Sequence, residues 1–263
     1  MLFLLRQIRR KLLTENKVTT YLLYAVGEII LVMIGILLAV QIDDWNEYKN
    51  ARAKEKEYLG RIVENLVQDS LMIENRIIFY KVVQNYGLNT LAYLEDDEIR
   101  GISHEELLIS SFHAGQIMTL IFTSPTYEEL KSAGELNLIQ DVSLRNEMDA
   151  YYAHSLSDIN TTLGNKPQYR ERIRSILPYN LQEFLWTNCQ RFTALYQELM
   201  YCKLPLEEQE VIEILIHLKQ DEELLENLRF WMSSLKIGLK LMEKTRYDNS
   251  ILIQNIKRTA SKI

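Results

Sequence analysis

Residues that break regular backbone are scarce. Nine Gly and four Pro occur among 263 residues, about 5% together against roughly 12% in an average protein. That shortage excludes a turn-rich β-sandwich, a Gly-rich nucleotide cradle and a low-complexity chain. Two Cys exclude a disulfide-dense scaffold and any CxxC metal site. Excess positive charge is missing as well. A net charge of -6 and a pI of 5.4 leave no electrostatic footprint for nucleic acid. The four His, at 104, 113, 154 and 217, show neither HxxxH nor HExxH spacing, and no GxSxG, P-loop or GxGxxG occurs. The expectation is a protein without cofactor, metal or catalytic apparatus.

Present instead is one long apolar run. Residues 21–40 read YLLYAVGEIILVMIGILLAV, with Glu28 as the single charge. Twenty residues at 1.5 Å rise cover about 30 Å, one bilayer core. Tyr21 and Tyr24 stand at one end and Trp45 just past the other, as in the aromatic belts of membrane interfaces. No A-x-A site follows the run, so the expectation is an uncleaved signal anchor. The domains expected are a cytoplasmic basic amphipathic segment over 1–20, a transmembrane helix over 21–42 and a periplasmic helical domain over 43–263.

Residues 1–20 carry Arg6, Arg9, Arg10, Lys11 and Lys17 against Glu15 alone, whereas the far side opens with Asp43, Asp44 and Glu47. The positive-inside rule then sets the N-terminus in the cytoplasm and residues after 45 outside. Leu5, Ile8 and Leu12 share a helical face beside Arg6, Arg9 and Arg10, with Lys11 adjoining. This fits a short helix lying among lipid headgroups, or cations that only set topology. Five of the 30 basic residues lie before residue 43, leaving 25 against 34 acids in the exported part.

At 100° per residue Tyr21, Glu28, Gly35, Ala39 and Asn46 fall within about 20° of one line. Gly35 and Ala39 form a small-xxx-small pair that allows close helix approach, and a carboxyl on that stripe can hydrogen-bond across the contact. Glu28, Gly35 and Ala39 are therefore the expected interface of a homo-oligomer. The competing reading is a Glu28 that snorkels or stays protonated, with the small residues incidental. A ring of Glu28 forming an ion path is a further alternative, against which Ile29–Val40 offers no other polar position.

Two stretches resemble a known family. ENK (15–17), YLLYAVGEI (21–29), IGIL (34–37) and QIDDWNE (41–47) form the first. TYEELKSAGELNLI (126–139) followed by LRNEMDAYY (144–152) forms the second. Both are similar to domain-of-unknown-function family 6090, uncharacterised membrane proteins of Bacteroidota; Asp43 and Asp44 stand where that family usually has Asn. The resemblance implies a cell-envelope protein with a short cytoplasmic start, one span and a helical periplasmic domain. It implies no reaction.

After the membrane run, no Gly or Pro occurs between Ile36 and Leu59, so the helix can continue into the exported domain. Leu59, Ile62, Leu66, Ile73, Ile77, Tyr80, Leu91 and Leu94 follow helical spacing, interrupted near Asp69, Gln84 and Gly87. A loop is expected at 96–103 and a helix near 104–115. A further helix starts at Pro125 with a Thr126–Glu129 capping box and ends at Gly134. Others are expected over 143–163, between Pro167 and Pro178, from an Asn180–Glu183 cap to Cys202, and from Leu206 onward with a weak point near Tyr247–Asn249. One helix from 180 to 202 would hold Cys189 and Cys202 about 19 Å apart, so free thiols are expected unless it breaks. Tyr151, Tyr152, Phe184 and Trp186 are expected as interhelical core, and so are Phe192, Tyr196, Phe230 and Trp231.

The fold class expected is all-α: an interfacial helix, one transmembrane helix and an exported bundle. The function expected is a non-enzymatic, membrane-anchored interaction or scaffold protein of the bacterial inner membrane. It would self-associate in lipid and present its outer domain to an envelope protein partner. The alternatives are a periplasmic ligand-sensing module acting through a separate membrane partner, and a small oligomeric channel.

Overall fold

The computed structural model describes residues 18–99, 101–122, 124–163, 166–193 and 197–263. The chain is all-α with one small hairpin, and it forms two compact units, Met1–Lys56 and Glu57–Ile263. Helix α1 runs without interruption from Val18 to Asp96. Gly87 does not end it: a Cβ there would meet the Met232 side chain, so this glycine admits a neighbouring helix. The 3/4-spaced residues Leu59, Ile62, Leu66, Ile73, Ile77 and Tyr80 are all buried and form the α1 side of the core.

Most helix ends follow local chemistry. Asp97 takes a positive φ after α1. Ser103 then caps α2 (His104–His113): its hydroxyl accepts from the Glu106 N–H, and the Glu106 carboxylate accepts from the Ser103 N–H. Pro125 opens α3 (Pro125–Ser132). Gly134, at φ 72°, closes it in a Schellman arrangement, with the Glu135 N–H on the Leu130 carbonyl at 2.9 Å. Helix α4 (Val142–Leu163) packs along the C-terminal helix, while α5 (Gln168–Ile176) lies between two prolines.

Four expectations need correction. The Thr126–Glu129 box does not form, because Pro125 starts the helix and puts Thr126 inside it. The Glu129 carboxylate instead accepts from Arg61 (2.5 Å) and Tyr58 (3.2 Å). The helix expected to reach Cys202 is α6 (Tyr179–Asn188), and Asn180 lies within it rather than capping it. A two-stranded antiparallel hairpin follows, β1 (Gln190–Phe192) and β2 (Gln197–Leu199), pairing Gln190 with Leu199.

The C-terminal region divides at Asp221, not near 247–249, into α7 (Glu208–Lys219) and α8 (Glu222–Ala260). The Asp221 carboxylate caps α8 by accepting from the Leu224 N–H at 2.8 Å, and Arg172 holds it at 2.6 Å. Around 247–249 polar side chains find partners without breaking α8, although the Asn249 Oδ1 is buried without a donor among the described residues. Asp248 pairs with Lys244, and buried Asn249 donates to the Leu66 carbonyl and the Tyr151 hydroxyl. Lastly, Phe192 and Phe230 are exposed rather than core. Trp231 is buried, donating to the Ala114 carbonyl at 2.8 Å, and Tyr196 lies outside the described residues.

Candidate functional site

The apolar part of α1 is covered by no other part of the described protein. Leu23 and Leu31 are each 72% exposed and Ile29 65%. The helix is long and apolar enough to cross a membrane, and its most apolar stretch has no buried residue. A core helix of a soluble protein buries such a surface; here the surface is bare on every side. Glu28, Gly35 and Ala39 are exposed on this helix, and nothing lies within 4 Å of a Cβ built on Gly35. The stripe is thus sterically open to a second helix. Trp45 is exposed, with the Lys49 ammonium 4.4 Å above its ring, an amphipathic pair of the kind that suits a water–lipid boundary. Tyr24 is half-buried. Arg6, Arg9, Arg10 and Lys11 lie outside the described residues, as does the Tyr21 side chain.

In the second unit, Glu57–Ile263, the hairpin brings Cys189 and Cys202 to a Cα–Cα distance of 5.1 Å as a disulfide. The free thiols expected from a continuous helix are therefore replaced by a bridge, because α6 stops at Asn188 and the chain doubles back. His113, fully buried at the end of α2, clasps both strand ends: its Nε2–H donates to the Cys189 carbonyl at 2.9 Å and the Met200 carbonyl at 3.3 Å. Two carbonyls can only accept, so Nε2 carries the proton. Burial pushes this imidazole down to about 4, outweighing the two carbonyl bonds that favour the cation. It is a neutral structural donor.

The profile of a family of unknown function, DUF6090, matches residues 28–162, just over half of the chain. The chain belongs to DUF6090. No curated protein and no solved structure matches it. The DUF6090 match begins inside the apolar helix and takes in Glu28, Gly35, Ala39 and Trp45. It ends within α4, before the hairpin and its disulfide.

In this DUF6090 chain a groove of about 590 Å³ lies between α4 and α8, lined by Tyr151, Leu241, Thr245 and Leu252 among others. On its rim Lys244 donates to Asp248 and Asn255 to Glu147, each at 2.7 Å. Burial, followed by the negative charge of Asp69, raises the Tyr152 phenol. Among the described residues no three His, Cys, Asp or Glu side chains are grouped to hold a metal. The sequence reading missed the hairpin and the His113 clasp. Three-residue strands are too short to show alternation, and a lone His reports its partners only once the chain has folded.

Proposed function

We propose that this DUF6090 protein is a non-enzymatic membrane-anchored interaction protein of a bacterial inner membrane. It is a single-pass signal anchor with a cytoplasmic N-terminus. It self-associates through the Glu28–Gly35–Ala39 stripe and presents its periplasmic helical unit to an envelope protein partner. One observation carries the reading: an apolar helix whose side chains are exposed on all faces requires another solvent, and lipid is the solvent that fits. The Lys and Arg excess before residue 20 supports the orientation. The Cys189–Cys202 bridge supports an oxidising compartment for the outer unit.

Crosslinking of single-Cys variants, in a background with Cys189 and Cys202 replaced by Ser, tests the association. Cys at 28, 32, 35 and 39 is expected to crosslink well above Cys at 30 and 37 on the opposite face. Equal yields on all faces would remove the interface. A tail-fused reporter active only in the cytosol would remove the topology. Native mass spectrometry of detergent extracts reads stoichiometry and co-purifying partners together.

A further inference from the structure

Among the described residues beyond Glu57, five arginines face acids, Arg191 with Glu198 among them. Arg61 meets Glu129, Arg172 meets Asp221, Arg229 meets Glu95 and Arg246 meets Glu74. Arg76, Arg170 and Arg174 do not, and neither does Arg145, which donates to Asn137 and the Ile139 carbonyl. They are half-buried, and no carboxylate of the described residues lies at ion-pairing distance. Arg76 Nε donates to the Thr119 carbonyl at 2.9 Å. Arg170 Nη1 donates to the Gly115 carbonyl at 2.7 Å and to Gln116 Oε1 at 2.8 Å. These acceptors are neutral. Arg174 donates no hydrogen bond among the described residues, and its Nη2 is buried without an acceptor.

Arg170 and Arg174 are four residues apart on α5, so they share a face. Both reach the indole of Trp186 on α6. The Arg174 guanidinium carbon lies 4.7 Å from the ring centroid and that of Arg170 5.7 Å; Arg174 also lies 5.8 Å from Phe112. Burial, then repulsion from Arg174, pushes Arg170 down to about 10. The phenol of Tyr80 feels the positive charge of both Arg76 and Arg170. The protein thus holds two like charges against one aromatic plane, with a third close by, and supplies no acid. In a chain with 36 acids to 30 basic residues, that arrangement is costly unless an anion completes it.

We propose that Arg170 and Arg174, stacked on Trp186, form a binding site for a phosphate-type oxyanion. The guanidinium fork presents parallel N–H donors matched to two oxygens of such a group. Both guanidinium groups lie against the indole, and the anion takes the donors that the protein leaves unused, other than the buried Nη2 of Arg174. The phosphate can come from a free soluble anion or from a lipid headgroup.

The test uses the full chain in dodecyl maltoside, a detergent without phosphate. It is titrated calorimetrically with inorganic pyrophosphate and, separately, with dihexanoyl phosphatidylglycerol. At least one probe is expected to bind with one-to-one stoichiometry. Arg174→Gln is expected to weaken that binding about tenfold or more. Arg258→Gln, which removes one exposed, unpaired charge elsewhere, is expected to leave it within about twofold. Binding of pyrophosphate assigns a free anion; binding of the lipid analogue alone assigns a headgroup. Failure of both probes, or equal weakening by the two variants, overturns the site. Arg174→Lys covers the case in which the Gln variant does not fold. It keeps the charge but loses the fork, so about fivefold weaker binding is expected, and unchanged affinity overturns the site.

Discussion

His113 shows how a single side chain can couple two elements and make them sensitive to acid. Its imidazole titrates near 6.5 in the unfolded chain and near 4 in the fold. Between those values the unfolded state binds more protons, so stability falls as pH drops through that window. The contribution amounts to about 2 kcal/mol between pH 7.5 and pH 5, with a limit of about 3 kcal/mol below pH 4. Denaturant unfolding at the two pH values is expected to show that loss in the wild type. His113→Gln keeps an amide donor for the two carbonyls but cannot titrate, so its pH dependence should be smaller by that amount. An identical dependence in both proteins would show that the buried imidazole is not the sensor. Gly238 is a second single-residue constraint. A Cβ there would fall 2.4 Å from Leu163 Cδ1, so Gly238→Ala should overpack the α4–α8 contact and cost about 1–3 kcal/mol in the same assay.

Elements differ in how far the sequence announces them. Helices bounded by Pro125, Gly134 and Pro167 were legible because breakers act within one turn, whereas the Ser103 cap that opens α2 was not read from the sequence. The long α1 was legible because nothing between Ile36 and Leu59 could stop it. The hairpin was not, since its strands span three residues each and their pairing depends on His113, 76 positions upstream of Cys189. Nor was the α7–α8 joint, where Asp221 works through Arg172 from a different helix. The proposed Glu28–Gly35–Ala39 stripe is a reading of periodicity alone, whereas the Arg170–Arg174–Trp186 cluster joins two helices and became visible only through their packing. Two expectations follow at this scale. Replacing Cys189 and Cys202 by Ser should cost about 3 kcal/mol, from restored freedom of the unfolded chain, while far-UV dichroism stays helical. Asp221→Ala removes the α8 cap and should lower the unfolding free energy by about 1–2 kcal/mol; a change within error would mean that Arg172 alone holds the joint.

At the scale of the molecule the apolar surface is unevenly divided. From Glu57 onward the buried residues form one cluster drawn from α1, α2, α3, α4, α5, α6, α7 and α8, so this unit has a core of its own. The unbroken run of side chains without cover lies in the first unit, at nearly every position from Leu22 to Ile42, whereas exposed apolar residues of the second unit, such as Tyr179, Phe192 and Phe230, are separated along the chain. Exposed apolar residues on the part of α1 beyond Glu57 are few: Val67, Leu71, Ile78, Val82 and Leu88. A patch of that size is ordinary for a soluble monomer. A fragment beginning at Glu57 should therefore dissolve without surfactant, unfold cooperatively and sediment as a monomer, while the full chain requires detergent and self-associates. Analytical ultracentrifugation of both forms separates the two contributions. A fragment that dimerises with the affinity of the intact protein would move the contact from the proposed Glu28–Gly35–Ala39 stripe to the helices beyond Glu57, and Gly35 and Ala39 would then be free of any role in assembly.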